Sequence, residues 1–162
     1  MKKAIFLFII LYIFWLLLTF SLQWEELVVG GIVSIIGVIF GYKFFYDRPW
    51  ELLNPRRIFF ALIYIPYMIY QIVLANLDVA YRVLHPELPI RPGIVKFKTT
   101  LRSSIAKTAL ANSITLTPGT FTVDIIGDVM YIHWINIKGE SESEWYKNIA
   151  GKFEGLLRRI FE

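Results

Sequence analysis

Two uninterrupted apolar runs open the chain, over residues 4–22 and 27–42, and neither contains Asp, Glu, Lys, Arg or His. A helix rises about 1.5 Å per residue, so the first run reaches close to the roughly 30 Å of a bilayer's hydrocarbon core. The second run spans as well if Lys43 extends to the headgroups and the aromatic residues 44–46 lie at the interface. The short connection allows only an antiparallel arrangement, so the pattern predicts an N-terminal transmembrane α-helical hairpin.

A third apolar stretch, residues 58–77, is long enough to cross a membrane but is interrupted by Pro66 and Gln71. On a helix Gln71, Asp78 and Arg82 fall on one polar side, and Asp78 lies four residues before Arg82, at the spacing of a helical ion pair. The pattern predicts a third helix that is either amphipathic or membrane-spanning. The basic residues that follow favour an even number of crossings, hence a helix along the cytoplasmic interface, with a third full span as the alternative.

Beyond the prolines at positions 86 and 89 the pattern changes to short alternating runs. It predicts a strand, a helix, a two-stranded hairpin and a last helix, over residues 94–99, 102–112, 120–126 with 129–137, and about 142–160. Ser141 and Glu144 have the spacing of a capping box at the start of the last helix. One apolar face of that helix carries Trp145, Ile149, Phe153, Leu156 and Ile160. The order β-α-β-β-α predicts a small α+β cytoplasmic domain.

These segments divide the chain into three predicted parts: a transmembrane helical hairpin over 1–46, a basic loop with the third hydrophobic helix over 47–85, and the α+β domain over 86–162. The last predicted strand is apolar on both faces, so we expect helices or another protein to cover each side. In a larger assembly, we expect other chains to cover the face that carries Met130, Ile132 and Trp134.

Small residues line one side of the second apolar run. Gly30, Ser34, Gly37 and Gly41 fall within about 60° of one another on a helix. Small side chains let helix backbones approach closely, which is how membrane helices associate. The stripe predicts a packing interface, either with the first run of the same chain or with another subunit.

Composition narrows the possible functions. Hydrophobic residues make up 56% of the 162 residues and charged residues only 19%, below the roughly 25% of soluble domains. The absence of cysteine excludes disulfides, thiol nucleophiles and cysteine-bound metals. The two spans lack the ionisable groups from which ion relays through a bilayer are built, so any ion path runs through partner subunits. Charges in the C-terminal part are nearly balanced, and we expect no nucleic acid as a partner.

Loop charges predict the orientation in the membrane. Lys2 and Lys3 precede the first run, Glu25 and Glu26 lie between the two runs, and basic residues such as Lys43 follow. The positive-inside rule places the N-terminus in the cytoplasm, and an even number of crossings places the C-terminal domain there too. We therefore expect a multi-pass protein of the cell (plasma) membrane.

Candidate chemistry is sparse. Asp124 and His133 fall on neighbouring predicted strands, but an acid–base pair also needs a nucleophile and a pocket, which the sequence does not indicate. His85 and His133 lack carboxylates at metal-ligand spacing, and there is no glycine-rich phosphate loop. The sequence predicts no enzyme, no catalytic, metal or cofactor-binding site, no cofactor and no small-molecule substrate.

The run Asn-Ser-Ile-Thr-Leu-Thr-Pro-Gly-Thr at residues 112–120, followed by Tyr-Ile-His-Trp-Ile at 131–135, resembles the MrpE/MnhE family, the E subunit of multisubunit Na⁺/H⁺ antiporters. The resemblance extends over nearly the whole chain. It implies a non-catalytic accessory subunit of a monovalent cation (Na⁺)/H⁺ antiporter complex, with the ion path in other subunits. The family is also similar to subunits in the antiporter-like module of archaeal membrane-bound hydrogenases and related ferredoxin-linked respiratory complexes, which remain an alternative.

The expected partners are other subunits of a membrane ion-translocating complex and the lipid bilayer. Beside the small stripe, the residues at which we expect contact with other subunits are Asp78, Arg82, Thr117, Pro118, Gly119, His133 and Trp134. A free-standing membrane anchor with a protein-binding cytoplasmic domain is a further alternative. A subunit is expected to be unstable when isolated, whereas an anchor is expected to be stable and monodisperse.

Overall fold

The computed structural model describes residues 2–45 and 49–162, and of residue 52 only the backbone. Its elements in chain order are α1 (Lys2–Thr19), α2 (Trp24–Gly41), a short 3₁₀ helix (Pro49–Leu53), α3 (Pro55–Leu84), β1 (Gly93–Lys98), α4 (Ser104–Leu116), β2 (Thr120–Ile126), β3 (Val129–Trp134), α5 (Glu142–Ile149) and α6 (Gly151–Phe161). They form two units, residues 1–54 and 55–162. The predicted boundary between residues 46 and 47 lies outside the described residues.

The first unit contains the membrane hairpin. Trp15 Nε1 of α1 donates a hydrogen bond to the Glu26 carbonyl of α2 at 3.1 Å, and the Tyr12 hydroxyl donates to the Leu27 carbonyl at 3.3 Å. Large apolar side chains are exposed along both helices, as expected where the surrounding solvent is lipid. By length and composition, α1, α2 and α3 are each apolar enough to cross a membrane.

The second unit is built on a three-stranded antiparallel sheet of order β1-β3-β2. β2 and β3 form the predicted hairpin, joined by Gly127 and Asp128. Gly127 has a φ of 63°, as the first central position of a type II′ turn requires. A bulge between Thr122 and Asp124 interrupts the pairing of β2 with β3, so the outer edge of β2 is irregular.

Helices of the same unit cover one face of this sheet. Its core contains the fully buried side chains Phe97, Leu110, Ile114, Met130, Ile132 and Phe153. The expectation that other chains cover Met130 and Ile132 was wrong, because the apolar sides of this unit's own helices bury both side chains. The opposite sheet face carries Ile94, Phe121 and His133, all of which are exposed.

α3 packs into the second unit. The rings of Tyr64 and Tyr67 meet Phe153 of α6 edge-on, with centroids 6.5 and 6.3 Å apart. The Tyr64 hydroxyl also hydrogen-bonds Ser113 of α4, and Met68 is buried in the core. The third helix and the domain, predicted as separate parts with a boundary after residue 85, therefore form one unit.

α4 is longer than predicted. It continues to Leu116 instead of ending near Asn112. Ser113 and Ile114 in the additional turn are buried, and the hydrogen bond from Ser113 to Tyr64 joins this turn to α3. Tertiary packing therefore outweighs the tendency of Asn112 to end the helix.

The last predicted helix is broken into α5 and α6 at Ala150, which is fully buried. The break changes the helix phase, so that Leu157 is buried while the predicted Leu156 is only half-buried. The predicted last strand also ends earlier, at Trp134. Residues 135–137 instead pair with the segment at Arg91, whose carbonyl accepts from the Ile137 N–H at 2.9 Å.

The capping box at the start of α5 is present. Ser141 Oγ accepts from the Glu144 N–H, and the Glu144 carboxylate accepts from the backbone N–H groups of Glu140 and Ser141. These backbone hydrogen bonds lower the pKa of Glu144 below its ordinary value, and the bond from the Glu140 N–H makes the largest contribution.

Replacing Ser141 with alanine is expected to destabilise the domain by about 1 kcal/mol, the typical cost of a lost N-cap.

Because the folded-state pKa of Glu144 is lowered, its carboxylate stabilises the domain above the ordinary carboxyl pKa, and this stabilisation is lost as pH falls through the lowered pKa. Thermal unfolding of Glu144→Gln and the parent chain should therefore differ near neutral pH and converge in acid. Glu140→Gln, at an exposed position, is the control and should unfold at the parent temperature near neutral pH.

Candidate functional site

A tight turn follows α4 and is built by the motif that carries the family resemblance. Thr117 caps the helix, and its hydroxyl donates to the Ser113 carbonyl at 2.8 Å. The Thr120 N–H donates back to the Thr117 carbonyl at 3.2 Å, and Gly119 has a φ of 87°. This is the geometry of a type II turn with Pro118 and Gly119 at its centre, as predicted.

The turn forms one wall of a groove with a cavity of about 230 Å³. α3 supplies Gln71 and Asp78 to this groove, and the turn supplies Thr117 and Pro118. The remaining wall consists of Trp134, Lys138, Asn148 and Lys152, together with apolar residues of the core. Apolar core residues thus form part of the lining of the groove, and polar and charged side chains form the rest.

Charges at one end of the groove form a connected cluster. Arg82 donates to both carboxylate oxygens of Asp78, at 2.8 and 2.9 Å, and to the Pro89 carbonyl at 2.6 Å. Lys138 Nζ lies 3.8 Å from Asp78 on the other side. Arg82 is buried, with 8% of its surface exposed. The bidentate pair with Asp78 orients its guanidinium, and the hydrogen bond to Pro89 ties the end of α3 to the segment that enters the domain.

Lys152 lies deeper in the groove than Lys138. Burial, and secondarily the nearby charge of Lys138, lowers the pKa of Lys152. Lys138, Lys152 and Asp78 all line the groove, and two lysines to one aspartate give its lining a positive charge that suits an anionic or carbonyl-rich surface. Within residues 2–45 and 49–162, no three His, Asp or Glu side chains come together as a metal site.

The structure brings most of the predicted contact residues in this unit together. Asp78, Thr117, Pro118 and Trp134 line the groove. Arg82 joins it through Asp78. The alpha-carbon of Gly119 faces α3, and a β-carbon there would lie 3.3 Å from Val79 Cγ2.

His133 lies elsewhere. It is exposed on the open face of the sheet, opposite Ile94 on β1 and Phe121 on β2. Asp124 pairs with Tyr131 across the hairpin, and its carboxylate accepts from the Ile125 N–H at 2.7 Å. The register of the hairpin therefore sets Asp124 and His133 at different positions of the ladder, and no ion pair or hydrogen bond joins them in the described part of the chain.

The small stripe of α2 packs against α1 of the same chain. A β-carbon on Gly30 would lie 2.8 Å from Trp15 Nε1, one on Gly37 would lie 2.7 Å from Leu11 Cδ1, and one on Gly41 would lie 3.7 Å from a Leu7 methyl group. Ser34 lies between them and is buried. Of the two alternatives for this stripe, the structure shows the contact within the hairpin.

Sequence reasoning missed Glu154, which is buried with 2% of its surface exposed. Its carboxylate accepts from the Thr99 hydroxyl at 2.6 Å, from the Thr100 N–H at 3.2 Å and from the Tyr146 hydroxyl at 3.1 Å, as well as from the Thr100 hydroxyl. The sequence signal was the position of Glu154 directly after Phe153 on the apolar side of the last helix. The carboxylate fixes the end of β1 to α6.

Comparison with known proteins adds to these observations. A family model described as Na⁺/H⁺ ion antiporter subunit (MNHE) matches residues 8–160. The chain is 32% identical over 150 residues to the E subunit of the Na⁺/H⁺ antiporter of Bacillus subtilis (strain 168), covering 90% of each chain. It is 28% identical over 166 residues to the E subunit of the Na⁺/H⁺ antiporter of Alkalihalophilus pseudofirmus, covering 99% of each.

A solved structure is also similar over the full length. A chain of the membrane-bound sulfane sulfur reductase, described as an archaeal respiratory membrane complex, superposes with a TM-score of 0.84 at 48% identity, covering 99% of this chain and 100% of that one. The match to the family model covers nearly all of the chain, including the hairpin, the turn and the groove. The chain therefore belongs to the MNHE family of Na⁺/H⁺ ion antiporter subunits.

Proposed function

We propose that this chain is a non-catalytic accessory subunit of a multisubunit, antiporter-like membrane complex in which other subunits carry the ions. The observation that supports this most directly is the absence of Asp, Glu, Lys, Arg and His from residues 4–22 and 27–42. Membrane segments without ionisable groups offer no sites for proton or cation relay. Membership of an antiporter-subunit family, combined with such segments, supports a structural role.

Within that class, the antiporter-like module of a respiratory complex is the favoured setting. Identity to the chain of the sulfane sulfur reductase is 48%, against 32% to the Bacillus antiporter subunit, with similar coverage of both relatives. A stand-alone Na⁺/H⁺ antiporter is the second candidate, since the relatives in Bacillus and Alkalihalophilus carry that name.

Purification through a tag after Glu162 in mild detergent, with mass spectrometry of the retained chains, tests both settings. Co-purification of antiporter-like membrane subunits together with iron–sulfur subunits would support the respiratory complex. Antiporter-like subunits alone would identify a stand-alone exchanger. A lone, monodisperse chain would contradict the subunit proposal and support a free-standing anchor.

We also propose that the groove beside the turn contacts a neighbouring subunit on the cytoplasmic side, where the positive-inside rule places the N-terminus and the domain. Its polar rim, from Thr117 and Pro118 to Trp134 and Lys138, suits a polar segment of a partner. The conformation of the turn depends on Gly119, whose positive φ disfavours other residues.

Replacing Lys138 with glutamine is expected to reduce the amount of partner subunits retained in the same purification several-fold. Its ion pair with Asp78 is solvent-exposed, and such pairs contribute at most about 1 kcal/mol, so the thermal unfolding temperature of the chain should hardly change. Lys147→Gln is the matched control, because Lys147 is also exposed but does not line the groove. If both variants retained equal amounts of the partner subunits, Lys138 would not be part of the interface.

A further inference from the structure

α3 has two sides of opposite character over its whole length. One side contacts the α+β domain from end to end, at residues spaced by three or four along the helix. Arg57 donates to the Glu162 carbonyl at 3.4 Å, Tyr64 hydrogen-bonds Ser113, and Arg82 donates to the Pro89 carbonyl at 2.6 Å. The side chains of Arg57, Tyr64 and Arg82 are therefore on the side of α3 that faces the domain.

This contact is longer than a bilayer core is thick. Arg57 and Arg82 are 25 positions apart, which corresponds to about 37 Å along a helix, against a hydrocarbon core of roughly 30 Å. The domain also places charged groups at both ends of the contact, with Glu162 near Arg57 and Lys138 near Asp78. If α3 stood perpendicular to the membrane plane, the sheet domain and its charged groups would lie in the hydrocarbon core. The free-energy cost of placing those groups there is prohibitive.

The other side of α3 is mainly apolar, and the polar groups exposed on it are the Asn76 amide and the Tyr70 and Tyr81 hydroxyls. Its exposed side chains include Phe59, Leu62, Ile69, Val73, Leu77 and Leu84, each more than half exposed. No charged side chain lies between Arg57 and Asp78, and Asp78 and Arg82 are paired with each other and face the domain. An apolar strip of this length on one side of a soluble domain is a surface for membrane or protein contact.

The composition of the strip favours lipid over another helix. α3 contains no Gly, Ser or Thr, three of the four small residues that allow close helix packing in membranes. α2, which does pack closely on a neighbouring helix, carries three glycines and a serine at its contact. In addition, only residues 42–54 separate the end of the membrane hairpin from the start of α3, which keeps this helix within reach of the bilayer surface.

We propose that α3 does not cross the membrane but lies along its surface, with its apolar side in the lipid interface and the α+β domain on its other side. The bilayer is then the partner of this strip, and the chain has two membrane crossings. The helix sinks into the headgroup and upper acyl region, at the depth of about 5–10 Å typical of interfacial helices. This topology does not depend on which complex contains the chain.

The absence of native cysteine allows a direct test by single-cysteine spin labelling in the intact complex, reconstituted in nanodiscs of phosphatidylcholine and phosphatidylglycerol. Labels at Phe59, Val73 and Leu84 report the start, middle and end of the apolar side. Accessibility to oxygen and to a water-soluble nickel chelate gives the depth of each label. We expect one shallow depth for all three.

Labels on the lipid-exposed side of α2, at Val28, Ile32 and Phe40, are the control, and Ile32 should be deepest because α2 crosses the bilayer. If Val73 is deeper than both Phe59 and Leu84 by about 10 Å or more, α3 crosses the membrane and the proposal is wrong. If the three α3 labels are shielded from both reagents, another subunit covers the strip and the proposal is equally wrong.

A second measurement counts the crossings without relying on depth. Single cysteines at Lys2 and at Glu87, which is exposed, are treated with an impermeant maleimide in sealed membrane vesicles of known orientation. Two crossings predict the same reactivity for both positions, since both then lie on one side. Opposite reactivity would show an odd number of crossings and overturn the proposal.

Discussion

Replacing Gly30 with leucine is expected to separate the two helices of the membrane hairpin. The β-carbon of the new residue would already lie under 3 Å from the Trp15 ring. The ring must therefore move away and lose its hydrogen bond to the Glu26 carbonyl. Overpacking costs about 1–3 kcal/mol in protein interiors. Within lipid no hydrophobic term opposes separation, because packing and hydrogen bonds alone hold the helices together.

Oxidative cross-linking between cysteines placed at Leu7 and Gly41, which face each other across the hairpin, measures this separation. The cross-link yield should fall several-fold in Gly30→Leu. Gly31→Leu is the matched control, because a β-carbon at Gly31 meets nothing within 4 Å. Adding Trp15→Ala to Gly30→Leu makes room for the new side chain and should restore part of the yield. An unchanged yield in Gly30→Leu would mean that the stripe does not hold the hairpin together.

The second large effect is expected at Glu154. Alanine there leaves three donors without their acceptor: the buried Thr99 hydroxyl and the partly buried Thr100 N–H and Tyr146 hydroxyl. Each unsatisfied buried group costs about 1–3 kcal/mol. A loss of about 3 kcal/mol would lower the unfolding temperature of a domain of this size by roughly 10–20 °C. Near-ultraviolet circular dichroism of the full chain in detergent follows this transition through the domain's aromatic residues.

Two variants make the Glu154 experiment specific. Glu154→Gln keeps one acceptor oxygen but turns an amide donor towards other donors, so its unfolding temperature should lie between those of the alanine variant and the parent. Glu87→Gln, at an exposed position, should leave the unfolding temperature unchanged. If Glu154→Ala unfolded at the parent temperature, the hydrogen bonds to Glu154 would not contribute to stability.

The sequence predicted the elements whose signal is local. Charge-free runs predicted the hairpin, the spacing of Ser141 and Glu144 predicted the capping box, and Pro118-Gly119 predicted the turn, because each depends on residues close together in the chain. The β2–β3 hairpin also follows from alternation and from Gly127. Membership of the antiporter-subunit family was predicted from residues 112–120 and 131–135 and is confirmed by the family match.

The features that sequence reasoning missed depend on contacts distant in the chain. The extra turn of α4 exists because Ser113 meets Tyr64 of α3, and the burial of Glu154 depends on two threonines after β1. Met130 is buried by helices of the same unit. The periodicity of apolar residues in a sequence does not reveal such distant contacts. For the groove, the sequence indicated several of its residues but not Lys152, which α6 brings there only after the break at Ala150.

The two-sided character of α3 also has a consequence for synthesis. α3 emerges from the ribosome before α4 and α6, which later contact its polar side. During that interval it is a 30-residue segment with no charged side chain between Arg57 and Asp78, long and apolar enough for recognition by an insertion machinery. On the proposed surface topology, the final location of α3 would depend on whether the domain folds against this helix before the helix enters the bilayer laterally. Slower translation of the segment between α3 and α6 would then favour a third crossing over the surface position.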